Sequence, residues 1–178
     1  MSLRKKLVAV VASLAAAVVF TAPVSADPIR TMNPWFNIRA EHTGKCLDVY
    51  AAGAADGVLT QQWTCLGPAQ HNQQWRLNAM PDGYYQIIAL HTGKCLDVVA
   101  AGGHDGARVQ QWQCLGAGQH NQLWRFSYIG HGVYQIIARH TGKCLDVEAA
   151  GGQDGALIQQ WTCLGAGQHN QHWTLVST

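Results

Sequence analysis

One passage of this chain is written three times, and that repetition constrains the fold more than any other feature. A C-L-D-V segment, a glycine-rich loop and a closing Q-x-W-x-C occupy residues 46–65, 95–114 and 144–163, offset by 49 positions each time. Residues 85–124 and 134–173 are identical at 33 of 40 positions, and 36–75 keeps the same frame with more divergence. A period of this length commonly signals a solenoid or a propeller, because one unit cannot bury its own apolar face. Only three copies exist, with no distinct caps, so the copies are expected to close on one another around a threefold axis and share one core.

Within a repeat the residues read as short strands divided by turn chemistry. WFNIRA at 35–40 and YQIIA at 85–89 and 134–138 are β-branched and aromatic. H-T-G-K-C supplies a glycine turn, C-L-D-V a second strand, and A-A-G-G-x-D-G a loop. ARVQQWQC is a third strand and QLWRFSY opens a fourth. Four strands in three repeats predict twelve, in an all-β domain. No segment carries the periodicity of an amphipathic helix.

The first 26 residues stand outside this frame. Arg4, Lys5 and Lys6 precede an apolar run from Leu7 to Phe20, and Val24-Ser25-Ala26 has the small residues of a cleavage site. That pattern is a secretory signal peptide, too short for a typical membrane span. Residues 27–33 form a short N-terminal segment, followed by repeats at about 34–82, 83–131 and 132–178. Without the leader, nine Lys+Arg face ten Asp+Glu. The absence of a basic stripe argues against nucleic acid or an anionic membrane surface and points to uncharged ligands.

Six cysteines in an exported chain favour disulfides. The pairing that follows the repeat most simply is Cys46 with Cys65, Cys95 with Cys114 and Cys144 with Cys163; a cyclic pairing between repeats stays open at this level. C-x2-C spacing is absent, which speaks against zinc. His42, His91 and His140, and His71, His120 and His169, also repeat. They lack tight ligand spacing and read as turn or loop residues, so neither metal nor cofactor is expected.

These motifs resemble the ricin-B-type β-trefoil lectins, a group that includes the family-13 carbohydrate-binding modules. The signature Q-x-W appears at Gln73-Gln74-Trp75, Gln122-Leu123-Trp124 and Gln171-His172-Trp173. The resemblance covers about residues 34–178. It implies a β-trefoil, a six-stranded barrel capped by three hairpins, with the local disulfide pairing and one potential sugar pocket per repeat. It also implies that Trp75, Trp124 and Trp173 are buried core.

A pyranose presents an apolar face and a rim of hydroxyls, so its pocket needs an aromatic platform and fixed polar groups. Strand alternation sends Gln61, Trp63 and Cys65 to one face, where Asp48 joins them. By resemblance the first pocket comprises Asp48, Gln61, Trp63, Asn72 and Gln73. The second comprises Asp97, Gln110, Trp112, Asn121 and Gln122, and the third Asp146, Gln159, Trp161, Asn170 and Gln171. Asp is the orienting acceptor and Trp the platform. Asn both donates and accepts; the first Gln is peripheral, and the second supports Asp from behind. Gln62, Gln111 and Gln160 face inward without an evident partner. Leu66, Leu115 and Leu164 stand where some members of the group have a polar contact.

A hydrolase is disfavoured. Glycosidases usually need two carboxylates close together, whereas these acids sit one per repeat, and Asp56, Asp105 and Asp154 read as turn formers. No G-x-S-x-G nucleophile motif occurs. A protein-binding trefoil such as an inhibitor is the alternative, but three copies of one polar set do not suit a single special loop. The expectation is a secreted, monomeric, non-catalytic carbohydrate binder for galactose-type or xylose- and arabinose-type sugars.

Overall fold

The computed structural model describes residues 35–178. The signal-peptide reading and the segment 27–33 lie outside the described residues. Among the described residues there are twelve strands, as the repeat predicts, and the helical turns there are all short 3-10 turns.

In chain order the first repeat holds β1 (Phe36–Ala40), β2 (Cys46–Val49), β3 (Thr60–Trp63) and β4 (Trp75–Ala79). The second holds β5 (Tyr85–Ala89), β6 (Cys95–Val98), β7 (Val109–Trp112) and β8 (Trp124–Gly130). The third holds β9 (Val133–Ala138), β10 (Cys144–Val147), β11 (Ile158–Trp161) and β12 (His172–Ser177). Strands β1, β4, β5, β8, β9 and β12 pair antiparallel in that order, and β12 returns to β1. Six strands therefore close a barrel and leave it no free edge. The remaining strands form the hairpins β2–β3, β6–β7 and β10–β11. This is a β-trefoil.

The core follows from the alternation. Ile38, Ile87 and Ile136 come from the barrel, and Leu47, Leu96 and Leu145 from the hairpins, all fully buried. Trp75, Trp124 and Trp173 lie between these layers at 0% exposure. Their indole nitrogens donate to the carbonyls of Leu47, Leu96 and Leu145, each at 3.0 Å. Each indole thus fills the core and also satisfies a buried hairpin carbonyl.

Disulfides join Cys46 to Cys65, Cys95 to Cys114 and Cys144 to Cys163, which settles the pairing as local. Each closes its hairpin and its loop together. In the chain-entropy model such a loop contributes about 3 kcal/mol.

The hairpins also clasp each other. Gln62 accepts from Thr43 Oγ1 at 2.9 Å and donates to the carbonyls of Gly151 and Gln153 in the third repeat. Gln111 and Gln160 bind the loops of the first and second repeats in the same way. The inward glutamines thus have partners, one repeat away. Asp56, Asp105 and Asp154 do more than form turns. Asp154 accepts from Lys45 Nζ at 2.6 Å and from the Thr64 amide at 2.8 Å, and Asp105 bonds Lys143 and Thr162 equivalently. Asp56 accepts from Lys94 and the Gln113 amide. His42, His91 and His140 bind loop carbonyls of adjacent repeats at 3.2 Å.

Candidate functional site

Each hairpin places its polar set by register. In the first, Asp48 stands opposite Gln61 and Cys46 opposite Trp63. The second and third hairpins keep the same register with Asp97 opposite Gln110 and Asp146 opposite Gln159. A short turn after each Asp, residues 50–52 in the first repeat, then folds back over it. Ala51 and Ala52 hold φ of 50° there, and Ala100, Ala101, Ala149 and Ala150 repeat this left-handed pair. Left-handed backbone outside glycine is costly and persists where its surroundings fix it. Here Asn72 Nδ2 holds the Val49 carbonyl at 2.9 Å on one side of the turn, and the Gly53 amide bonds the Tyr50 carbonyl on the other.

The carboxylate is the centre of each set. Asp48 Oδ1 accepts from Gln61 Nε2 at 2.9 Å, and Oδ2 accepts from Asn72 Nδ2 at 2.8 Å and Gln73 Nε2 at 3.0 Å. Asp97 and Asp146 have the equivalent three donors. A carboxylate offers about four acceptor positions, so three amides leave one on Oδ1. Burial pushes all three Asp above the ordinary aspartate value of 3.8, and the hydrogen bonds from the first Gln, the second Gln and Asn work against that rise.

Three concavities of about 350, 510 and 490 Å3 open over Asp48, Asp97 and Asp146 in turn. Each is lined by the Asp, the first Gln, the Trp, the Asn and the Leu after the second cysteine. Trp63, Trp112 and Trp161 are 37%, 37% and 39% exposed, so each offers part of its ring at the rim. The loop of the preceding repeat lies close behind: a Cβ placed on Gly57 would sit 3.8 Å from Cζ3 of Trp112.

Two of the residue types in each set are committed within the protein. Gln73, Gln122 and Gln171 are wholly buried and line none of these three concavities. They brace Asp and, through Oε1, accept the amides of Leu66, Leu115 and Leu164. Asn72 spends both hydrogens of Nδ2 on Asp48 and Val49, and its Oδ1 already accepts from Gln70 Nε2, so toward a ligand in this arrangement it offers one remaining acceptor position and no free donor. The Nδ2 groups of Asn121 and Asn170 are held alike.

The sequence reading also passed over part of the wall. Gln70, Gln119 and Gln168 line the three concavities, as do Tyr50, Val99 and Glu148. Glu148 turns toward Arg108 of the second repeat, 2.7 Å away. Because the position after C-L-D-V differs in every repeat, repetition could not mark it.

Taken together, a closed barrel, three hairpins and three equivalent concavities define a pseudo-threefold β-trefoil. The chain belongs to the ricin-type beta-trefoil lectin domain family, whose profile matches residues 34–173. Among solved structures, the designed threefold symmetric protein ThreeFoil is 43% identical, with a TM-score of 0.76 over 82% of this chain and 100% of its own. An exo-beta-1,3-galactanase from Clostridium thermocellum is 36% identical, with a TM-score of 0.75 over 83% of this chain. This chain spans only 31% of that enzyme. The Macrolepiota procera ricin B-like lectin, solved with lactose, shares the fold at 16% identity and a TM-score of 0.69, covering 83% of this chain and 98% of its own. No curated protein matches the chain in sequence. Family membership carries carbohydrate binding as the general function and a non-catalytic binding module as the general class.

Proposed function

We propose that this protein is a secreted lectin with three sugar pockets, built on Asp48, Gln61, Trp63 and Asn72 and their equivalents in the other two repeats. One observation carries the reading: each concavity sets a braced carboxylate with one acceptor position unused beside a part-exposed tryptophan. The carboxylate takes a charge-assisted hydrogen bond from a sugar hydroxyl, while the indole covers the sugar's C–H face. The ligands are galactose-type sugars or the xylose and arabinose of plant polysaccharides. Lactose in one neighbour and a galactanase in another lend weight to the first class.

Export is supported by the leader-like residues 1–26 and by three paired cystines. Catalysis has no support in the geometry, since each concavity contains one braced carboxylate and Glu148 is engaged by Arg108. Three weak pockets linked in one body raise avidity for a polymer by up to about 10²–10⁴-fold when the glycan spans them.

The test is retention on immobilised galactose and on insoluble xylan, with elution by the matching free sugar. Replacing Trp63, Trp112 and Trp161 together by Ala should abolish retention, while any single replacement weakens it in part. Passage of the wild type through both matrices with its disulfides intact would reject the sugar assignment and favour a protein partner.

A further inference from the structure

The threefold repetition is broken at one seam in a chemically specific way. Where the third repeat meets the first, the Glu41 amide bonds the His172 carbonyl at 2.8 Å. Glu41 Oε2 lies 2.8 Å from His172 Nδ1 and 3.0 Å from His169 Nδ1. The same backbone bond joins Leu90 to Gln74 and Arg139 to Leu123 at the other two seams. There the companions of His71 and His120 are Leu with Gln and Arg with Leu, which ligate nothing together. Only the closing seam brings two imidazoles and a carboxylate to one point.

We propose that Glu41, His169 and His172 form a binding site for a divalent transition-metal ion of the zinc type. The three ligand atoms lie within 4.8 Å of one another. Zinc takes His nitrogen and carboxylate oxygen at about 2.0–2.2 Å in tetrahedral geometry, which sets neighbouring ligand atoms roughly 3.3 Å apart. The two Glu41–His separations, 2.8 and 3.0 Å, therefore have to open by only a few tenths of an ångström. The rings meet at 83° with centroids 5.4 Å apart, so they approach from different directions. His172 is 4% exposed, and Glu41 and His169 are 33% and 56% exposed. The metal would be anchored on the buried side and open to water on the other. Softer than calcium or magnesium sites, a two-His, one-carboxylate set selects metals of the later first transition row.

A simple ion pair is the competing account. His172 Nε2 is buried without a hydrogen-bond partner. With a metal on Nδ1, or with the ring protonated in an ion pair, Nε2 carries a hydrogen that finds no acceptor, so this atom does not choose between them. The site is independent of the sugar pockets in its chemistry, although His169 and His172 flank Asn170 and Gln171 of the third.

The deciding experiment is calorimetric titration of the disulfide-intact protein with zinc chloride. One saturable site is expected. His172→Gln and Glu41→Leu install residues already present at equivalent positions, Gln74 and Leu90, so the fold should survive them. Each should weaken zinc binding at least tenfold, since even removing an outer partner of a ligand costs about 10–100-fold. His169→Ala should do the same, and His71→Ala should change nothing. Wild-type binding no tighter than that of His172→Gln and Glu41→Leu combined, or no binding at all, would overturn the proposal and leave an ion pair. Galactose retention plays no part in this readout, so the two assignments fail separately.

Discussion

Two tryptophans in each repeat meet opposite fates. Trp124 begins a barrel strand and is fully buried, with its nitrogen on the Leu96 carbonyl. Trp112 ends a hairpin strand and remains 37% exposed at the rim of a concavity. Residue type does not separate them. What separates them is where the strand stands, since a barrel strand faces the shared core and a hairpin end faces solvent. The fold and the pocket are thus held by different residues and can be broken separately.

The largest effect should come from the core. Trp124→Ala removes a buried indole and orphans the Leu96 carbonyl, and large-to-small changes of this kind cost about 3–5 kcal/mol. Denaturant unfolding should show the loss, with every pocket weakened together. Trp112→Ala should change stability by less than about 1 kcal/mol, yet remove binding at the second pocket alone. If both variants were equally destabilised, the separation of core from platform would be wrong.

Asp97 gives a sharper test, because it is buried and is also the centre of a proposed pocket. Its pKa is raised by burial. For such a group the contribution to stability is fully present below the unfolded value and is lost as pH rises through the folded value. At neutral pH the ionised form is therefore a burden on the fold. Asp97→Asn keeps the shape, and Gln110 can turn its amide to match. Unfolding at pH 7 should show stability equal to or above wild type, while titration shows sugar binding at that pocket lost. For the wild type, binding should fade on acidification at a higher pH than an aspartate of ordinary pKa would allow. A marked loss of stability in Asp97→Asn would place Asp97 with the structural residues.

The repeat made the architecture legible. Strand positions and a shared core follow from turn chemistry and alternation written three times, while the barrel capped by hairpins and the local disulfides are what the family resemblance implied. The Asp, Gln, Trp and Asn sets were legible for the same reason. Contacts between repeats were not. Nothing local says that Gln62 will reach Gly151, 89 positions away, or that Asp154 will clasp Lys45. Hydrogen-bond commitment was equally hidden: Asn72 looks bifunctional until Val49 and Asp48 are seen to take both its hydrogens. The meeting of Glu41 with His172 depends on closure of the barrel, 131 residues apart in sequence.

The smallest predicted effect concerns the positions where repetition fails. The first concavity, walled by Tyr50, is about 350 Å3 against about 510 Å3 for the second, where Val99 stands. The third, with Glu148 drawn to Arg108, is about 490 Å3 and so resembles the second in size. Tyr50 lines the first concavity together with Trp63 and is 58% exposed, so it adds a second accessible aromatic residue to that wall. The first pocket should accordingly bind a monosaccharide most tightly, by an increment of about 0.5–1.5 kcal/mol typical of an added aromatic contact. Tyr50→Val should bring it down to the level of the second, and Val99→Tyr should raise the second to the level of the first. Titrations on variants retaining a single platform tryptophan would read each pocket alone. Equal affinities in all three would mean that the floor of Asp, Gln and Asn sets the affinity and the wall does not.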